Sequence, residues 1–457
     1  MDDLLAGQNS PMFPAVTRGF TKGRIQNYTK PLALDLRMLP AHIDKVARFA
    51  TLGPVLRDAA RLVTRNRTFR SAMDAVDPTA VESMIVPWLK RTATQTLNKA
   101  PETQADRAVA RIANRVRNRT GLLLMSANVV NTLQQFTGLS VAALRVPPRY
   151  LAAGLMEYVR SPAKSAAAIN GLSEWMLHRS DNSAHDVDRT IEDMLTNPNA
   201  LQKVEQLGTR YGYVLQQAAQ NFLDRVVWIG AYKDAESHGV KGANAVRQAD
   251  SAVRMTQSSF APEDASKVEH AGAFTRLFLQ FASYFNAQGN LLATEAQNAS
   301  GPARLALVYM LGFAVPAFLA DVIAKGMRGD LDDDDGDELA VKLLESFFLS
   351  QARYALAMVP VAGQAGNAAI GQWTPERFDD RIGASPTYSA IEATVRAPRS
   401  IYRAIDGEGN PKAAVRDGLT AVGVLTGLPT GPLVRPLGHL ADDERDEVTL
   451  QGLVTGR

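Results

Sequence analysis

The chain has 457 residues, 46% of them apolar and 21% charged, which is the balance of a globular protein and not of a multispanning membrane protein. It contains no cysteine, and that excludes a disulfide framework, a thiolate metal site and a cysteine nucleophile. The net charge of +3 hides an asymmetry: residues 1–120 hold 20 Lys and Arg against 10 Asp and Glu, and the remainder 30 against 37, so the front of the chain either meets an anionic partner or carries a solvated basic surface.

The opening MDDLLAGQNSPMF is acidic and does not read as a secretory signal. Residues 1–40, with prolines at 11, 14, 31 and 40, read as an irregular arm. Beyond them apolar residues recur with the 3.6-residue period and β-branched alternation is nearly absent, so the fold class is all-α, an extended multi-helix assembly. The expected helices cover 41–73 with a break or bend at Gly53-Pro54, then 78–99 opened by Asp77 and Pro78, then 103–137. Pro147-Pro148 and Ser161-Pro162 start two more, and 199–237 is a long amphipathic helix or helix pair that Gly239 can stop. Further helices are expected at 242–257, 386–405 and 411–425, and TGLPTGPLVRPLGHL reads as a turn-rich strap over the surface. The resulting plan is an arm (1–40), a helical body (41–300), an apolar and membrane-active helical hairpin (301–363) and a loosely packed Pro/Gly-rich tail (364–457).

Three patterns stand out. Arg107, Arg111, Arg115 and Arg119 recur every fourth residue, with Arg117 beside them, and form one drifting stripe on a helix. Guanidinium forks suit the phosphate oxygens of nucleic acid or anionic lipid, although a solvated helix face has the same appearance. Phe274, Phe278, Phe281 and Phe285 share one helix face, which is either core or a membrane or partner surface. Leu305 to Ala324 is a run of twenty residues with one charge, Asp321, and at about 1.5 Å rise per residue it reaches the thickness of a bilayer core. Within it Leu305, Leu307, Leu311, Phe313 and Phe318 supply the apolar face and Pro316 interrupts the middle. Lys325, Arg328 and the acidic run from Asp330 to Glu338 follow, and would keep the next turn in water.

No phosphate loop, GxSxG elbow, dinucleotide fingerprint or pair of catalytic carboxylates is present. The six histidines lack metal-ligand spacing, and the acidic run from Asp332 does not have the ligand order of an EF-hand. These residues describe a non-enzymatic protein without a cofactor or metal.

The order of segments NFLDRVVWIGAY (221–232), AVRQADSAV (245–253), FLQFASYFNAQGNLL (278–292), the apolar run with its acidic turn, LLESFFLSQARYALAMVPVAG (343–363) and TGLPTGP (426–432) resembles the C-terminal region of large polyvalent proteins of tailed phages and prophages, which include internal virion proteins. The resemblance spans roughly residues 120–435, lies in segment order and not in a tight motif, and carries no catalytic residue. It implies a non-enzymatic ejection protein that sits in the virion interior, then in the host envelope, and helps the genome across. Its partners would be other virion proteins, further copies of itself, DNA and the host inner membrane. A structural virion scaffold whose apolar segment is an oligomer core, and a helical pore-forming toxin, stay open beside it.

Overall fold

The computed structural model describes residues 38–94, 104–126, 128–179, 213–257, 282–328, 336–357, 386–442 and 448. Of this part 87% is helical and none is strand, so the chain is all-α. Most of the N-terminal arm lies outside the described residues, and a helix has already begun at Met38. The chain divides into two units, Met1–Ala100 with Ala261–His270, and Pro101–Phe260 with Ala271–Arg457.

In the first unit α1 (Met38–Arg65) continues through Pro54, so of the break or bend expected at Gly53-Pro54 the break does not occur. Proline removes only one hydrogen bond, and Leu56, Ala60 and Val63 are buried on the same face, with Leu56 and Ala60 packed beside Leu89. The break falls instead at Asn66, whose extended backbone and side-chain oxygen cap α2 (Arg67–Val76) by accepting the Phe69 N–H at 3.0 Å. A π turn at Val81–Ile85 then leads into α3 (Val86–Thr94), which returns against α1.

The second unit begins with α4 (Gln104–Met125). The stretch expected as one helix to residue 137 is interrupted where Asn128 caps α5 (Val129–Gln134) by accepting the Asn131 N–H. A 3-10 turn and α6 (Gly138–Ala142) follow. The main core lies where α7 (Pro148–Arg160) crosses α9 (Val214–Ser237), with α8 (Pro162–Leu172) and α10 (Ala243–Thr256) alongside. Val146, Leu151, Ile169, Val226, Val227 and Val253 fill it. The crossing is closed by two glycines: a Cβ on Gly154 would stand 2.4 Å from the Val226 carbonyl oxygen, and one on Gly230 would stand 2.9 Å from that of Tyr150.

Several buried or half-buried polar groups in this core pair with one another. Arg179 forks onto Asp224 at 2.6 and 3.1 Å and also donates to the Gln257 carbonyl. Ser173 and the Trp228 indole both donate to Asp250 at 2.7 Å.

Among the described C-terminal residues the helices expected at 386–405 and 411–425 are present. α15 (Pro386–Ile405), α16 (Pro411–Thr426) and α17 (Gly431–Leu440) pack together and against α4, with Leu123, Ala390, Val424 and Val434 between them. The segment read as a surface strap contains α17, because Pro432 sits in its first turn, where a missing N–H costs nothing, and His439 near its end is buried.

Arg396 forks onto Asp417 at 2.7 and 3.1 Å, and Ser400 adds a hydrogen bond at 2.9 Å. Burial pushes the Asp417 carboxyl up, but the bonds from Arg396 and Ser400 and the charges of Arg416 and Arg396 outweigh it, so its pKa lies below the usual carboxylate value. The carboxylate therefore contributes stability that is fully present above about pH 4, the unfolded value, and is lost as pH falls through the lower folded value. Asp417→Asn should accordingly be less stable than the parent at pH 7, with the gap closing on acidification. Urea melts from pH 7 to pH 2 measure it, and a gap that stays constant would refute the assignment.

Candidate functional site

Residues Pro302–Met327 form the one helical stretch among the described residues that is long and apolar enough to cross a bilayer, 26 residues that include an 18-residue window at a mean hydropathy of 2.0. Only 39% of its apolar window is buried, whereas the core helix of a soluble protein is mostly buried. It runs as α12 (Pro302–Tyr309), a π turn at Met310–Ala314, and α13 (Val315–Arg328), and it pairs with α14 (Gly336–Ala357).

The π turn follows from Pro316. Proline has no N–H for the carbonyl four residues earlier, that of Gly312, and the helix widens there instead of continuing. Gln288, from α11 (Ala282–Gln297), replaces the missing donor, its Nε2 giving a hydrogen bond to the Gly312 oxygen at 2.7 Å. Tyr354 of α14 in turn donates to Gln288 Oε1 at 2.5 Å. Two more glutamines reach the same backbone: Gln351 Nε2 donates to the Ala314 oxygen at 3.1 Å and Gln134 Nε2 to the Ala320 oxygen at 2.9 Å. Gly312 lets Leu292 and Leu144 pack closely, since a Cβ there would fall 2.2 Å from Leu292 Cδ2 and 2.9 Å from Leu144 Cδ1, and those leucines would have to shift.

Below the π turn lies an ionic centre. Asp321, Lys325 and Arg353 are all buried, with Lys325 3.8 Å and Arg353 3.9 Å from the Asp321 carboxylate. Lys325 Nζ donates to Ser346 Oγ at 2.8 Å, while Asp321 Oδ2 accepts no hydrogen bond. Aromatic contacts join the two helices on either side of it, Phe313 edge-on to Tyr354 at 5.4 Å and Phe318 to Phe347 at 5.7 Å.

The outward side is different in character. Leu305, Leu307 and Leu319 of the apolar helix are exposed. On α14, Val341 (66% exposed), Leu344 (60%) and Phe348 (64%) fall within about a 60° arc, since each residue advances about 100°. The hairpin thus meets the rest of its unit through the glutamines and through a cluster in which Val308 and Leu311 pack against Leu144, Leu291 and Leu292, and it leaves a further apolar face exposed to solvent.

The other sequence-derived candidates are distributed as follows. Leu311, Phe313 and Phe318 are half-buried, and Pro316 is buried. Asp321 is buried inside the hairpin. Phe274, Phe278 and Phe281 lie outside the described residues, and Phe285 falls in α11 with its side chain outside them. Arg107 and Arg111 sit on α4 with side chains likewise outside the description, while Arg115 is exposed. Arg119 turns inward: its Nη1 donates to the carbonyls of Val424 and Leu425 at the C-terminal end of α16, where a cation is favoured. Gln134, Gln288, Gln351 and Arg353 escaped sequence reasoning, and only the Asp321/Lys325 spacing of four residues signalled the ionic centre.

No protein-family model matches the chain, and neither does any curated protein or solved structure.

Proposed function

We propose that this is a non-enzymatic internal virion protein of a tailed phage or prophage, whose α12–α14 hairpin enters the host inner membrane and helps the genome to cross. The observation that carries the reading is the exposed apolar face of the hairpin: Gln134, Gln288 and a leucine cluster hold its inner side, while leucines, a valine and a phenylalanine on its outer side are left for a bilayer. The segment order along the chain supports the phage setting. The principal rival is a virion scaffold in which Val341, Leu344 and Phe348 pack against a second copy.

The triple variant Val341→Asp, Leu344→Asp, Phe348→Asp separates the two. These side chains are exposed, so the fold should survive, with a thermal midpoint close to that of the parent. Dye release from liposomes should be lost, because a charge at the centre of a bilayer costs about 2.5–3.5 kcal/mol each. A parent protein that releases no dye, with a variant that changes from oligomer to monomer in sedimentation, would replace the membrane reading by the scaffold. Absence of the protein from purified virions would overturn the phage setting.

A further inference from the structure

The basic front of the chain has a concentrated centre that precedes the arginine stripe in the sequence. Between residues 57 and 70 the chain carries Arg57, Arg61, Arg65, Arg67 and Arg70 against a single acid, Asp58. The elbow between α1 and α2 gathers three of these around an open depression of about 280 Å³, whose wall is Thr64, Arg65, Asn66, Arg67, Arg70, Ser71 and Asp74. Arg65 and Arg67 are exposed and enter no ion pair among the described residues. Arg70 is held in place by Glu82, Nη2 to Oε1 at 3.0 Å, so the third guanidinium is positioned before any ligand arrives. The first turn of α2 also opens here, with Asn66 occupying the Phe69 N–H.

We infer that this elbow is a phosphate-binding surface for the backbone of a nucleic acid. Arg65, Arg67 and Arg70 outnumber the two carboxylates beside them, Asp74 in the wall and Glu82 on Arg70, and planar N–H forks match phosphate oxygens. The wall has short polar side chains and no large apolar or aromatic one. That composition lacks the apolar wedge by which a protein seats in a bilayer surface and the ring on which a base would stack, so it fits a backbone read without sequence. The inference does not rest on the membrane reading, because its residues belong to the first unit and the hairpin to the second.

The test uses the full chain and a labelled 30-base-pair duplex, with affinity read across a salt series. Arg65→Gln with Arg67→Gln removes the two exposed groups and leaves the Arg70–Glu82 pair intact. Two lost phosphate contacts should reduce the slope of log affinity against log salt by about 2 and weaken binding at low salt on the order of tenfold or more. A control of equal net charge, Lys164→Gln with Arg399→Gln in exposed positions, should leave both nearly unchanged. Equal losses in the two variants would reduce the effect to bulk charge and overturn the site. So would parent binding to vesicles containing anionic phospholipid with none to the duplex, or no binding to either.

Discussion

Gly154→Ala is expected to destabilise the second unit by about 1–3 kcal/mol or more, although it adds one methyl group to a helix that should welcome it. On an unconstrained helix alanine is better than glycine by about 0.5–1 kcal/mol. At Gly154 the new Cβ meets a backbone oxygen, that of Val226, at 2.4 Å, and neither helix can yield without opening the crossing of α7 on α9. Gly171 provides the contrast, since it lies on the neighbouring α8 with no atom within 4 Å of its virtual Cβ. Gly171→Ala should therefore stabilise the protein. Urea melts of the two variants should move in opposite directions, and shifts of the same sign would mean that the close approach is not what fixes this core.

The crossing also shows why the fold was more legible than the site. The period of 3.6 over 221–232 and 245–253 announces helices, and the buried valines lie on them as the pattern implies. What the pattern leaves out is which polar residues go inside. Asp224 and Asp250 look like surface acids until Arg179, Ser173 and Trp228 arrive from elsewhere in the chain. The same limitation explains Arg119, which shares a spacing with Arg115 but finds carbonyls of a helix some 300 residues later. Break points were read less well than helices. Pro54 was overruled by burial around it, whereas Asn66 and Asn128, each a residue that can cap, ended helices where no proline stood.

Asp321→Leu should have effects of opposite sign in water and in lipid, and this bears most directly on what the hairpin does. In water Asp321 is the shared counter-ion of Lys325 and Arg353 inside the hairpin, and removing one partner of a buried ion pair typically costs about 3–5 kcal/mol. The separations of 3.8 and 3.9 Å are long for an ion pair, so the lower end, about 3 kcal/mol, is expected from urea melts. In a bilayer the same carboxylate is a burden, up to about 2.5–3.5 kcal/mol at the centre and less towards an end. Leucine removes that burden, and it also loosens the hold of α13 on α14 in water. Both changes favour transfer to lipid, so the variant should release dye from liposomes at a lower protein-to-lipid ratio than the parent. An oligomer-core hairpin has no lipid state to favour, and there the substitution would only destabilise. A variant that melts earlier yet releases no more dye would therefore move the function from the membrane to the scaffold, whereas earlier melting with stronger release requires a hairpin whose ionic centre restrains it in water.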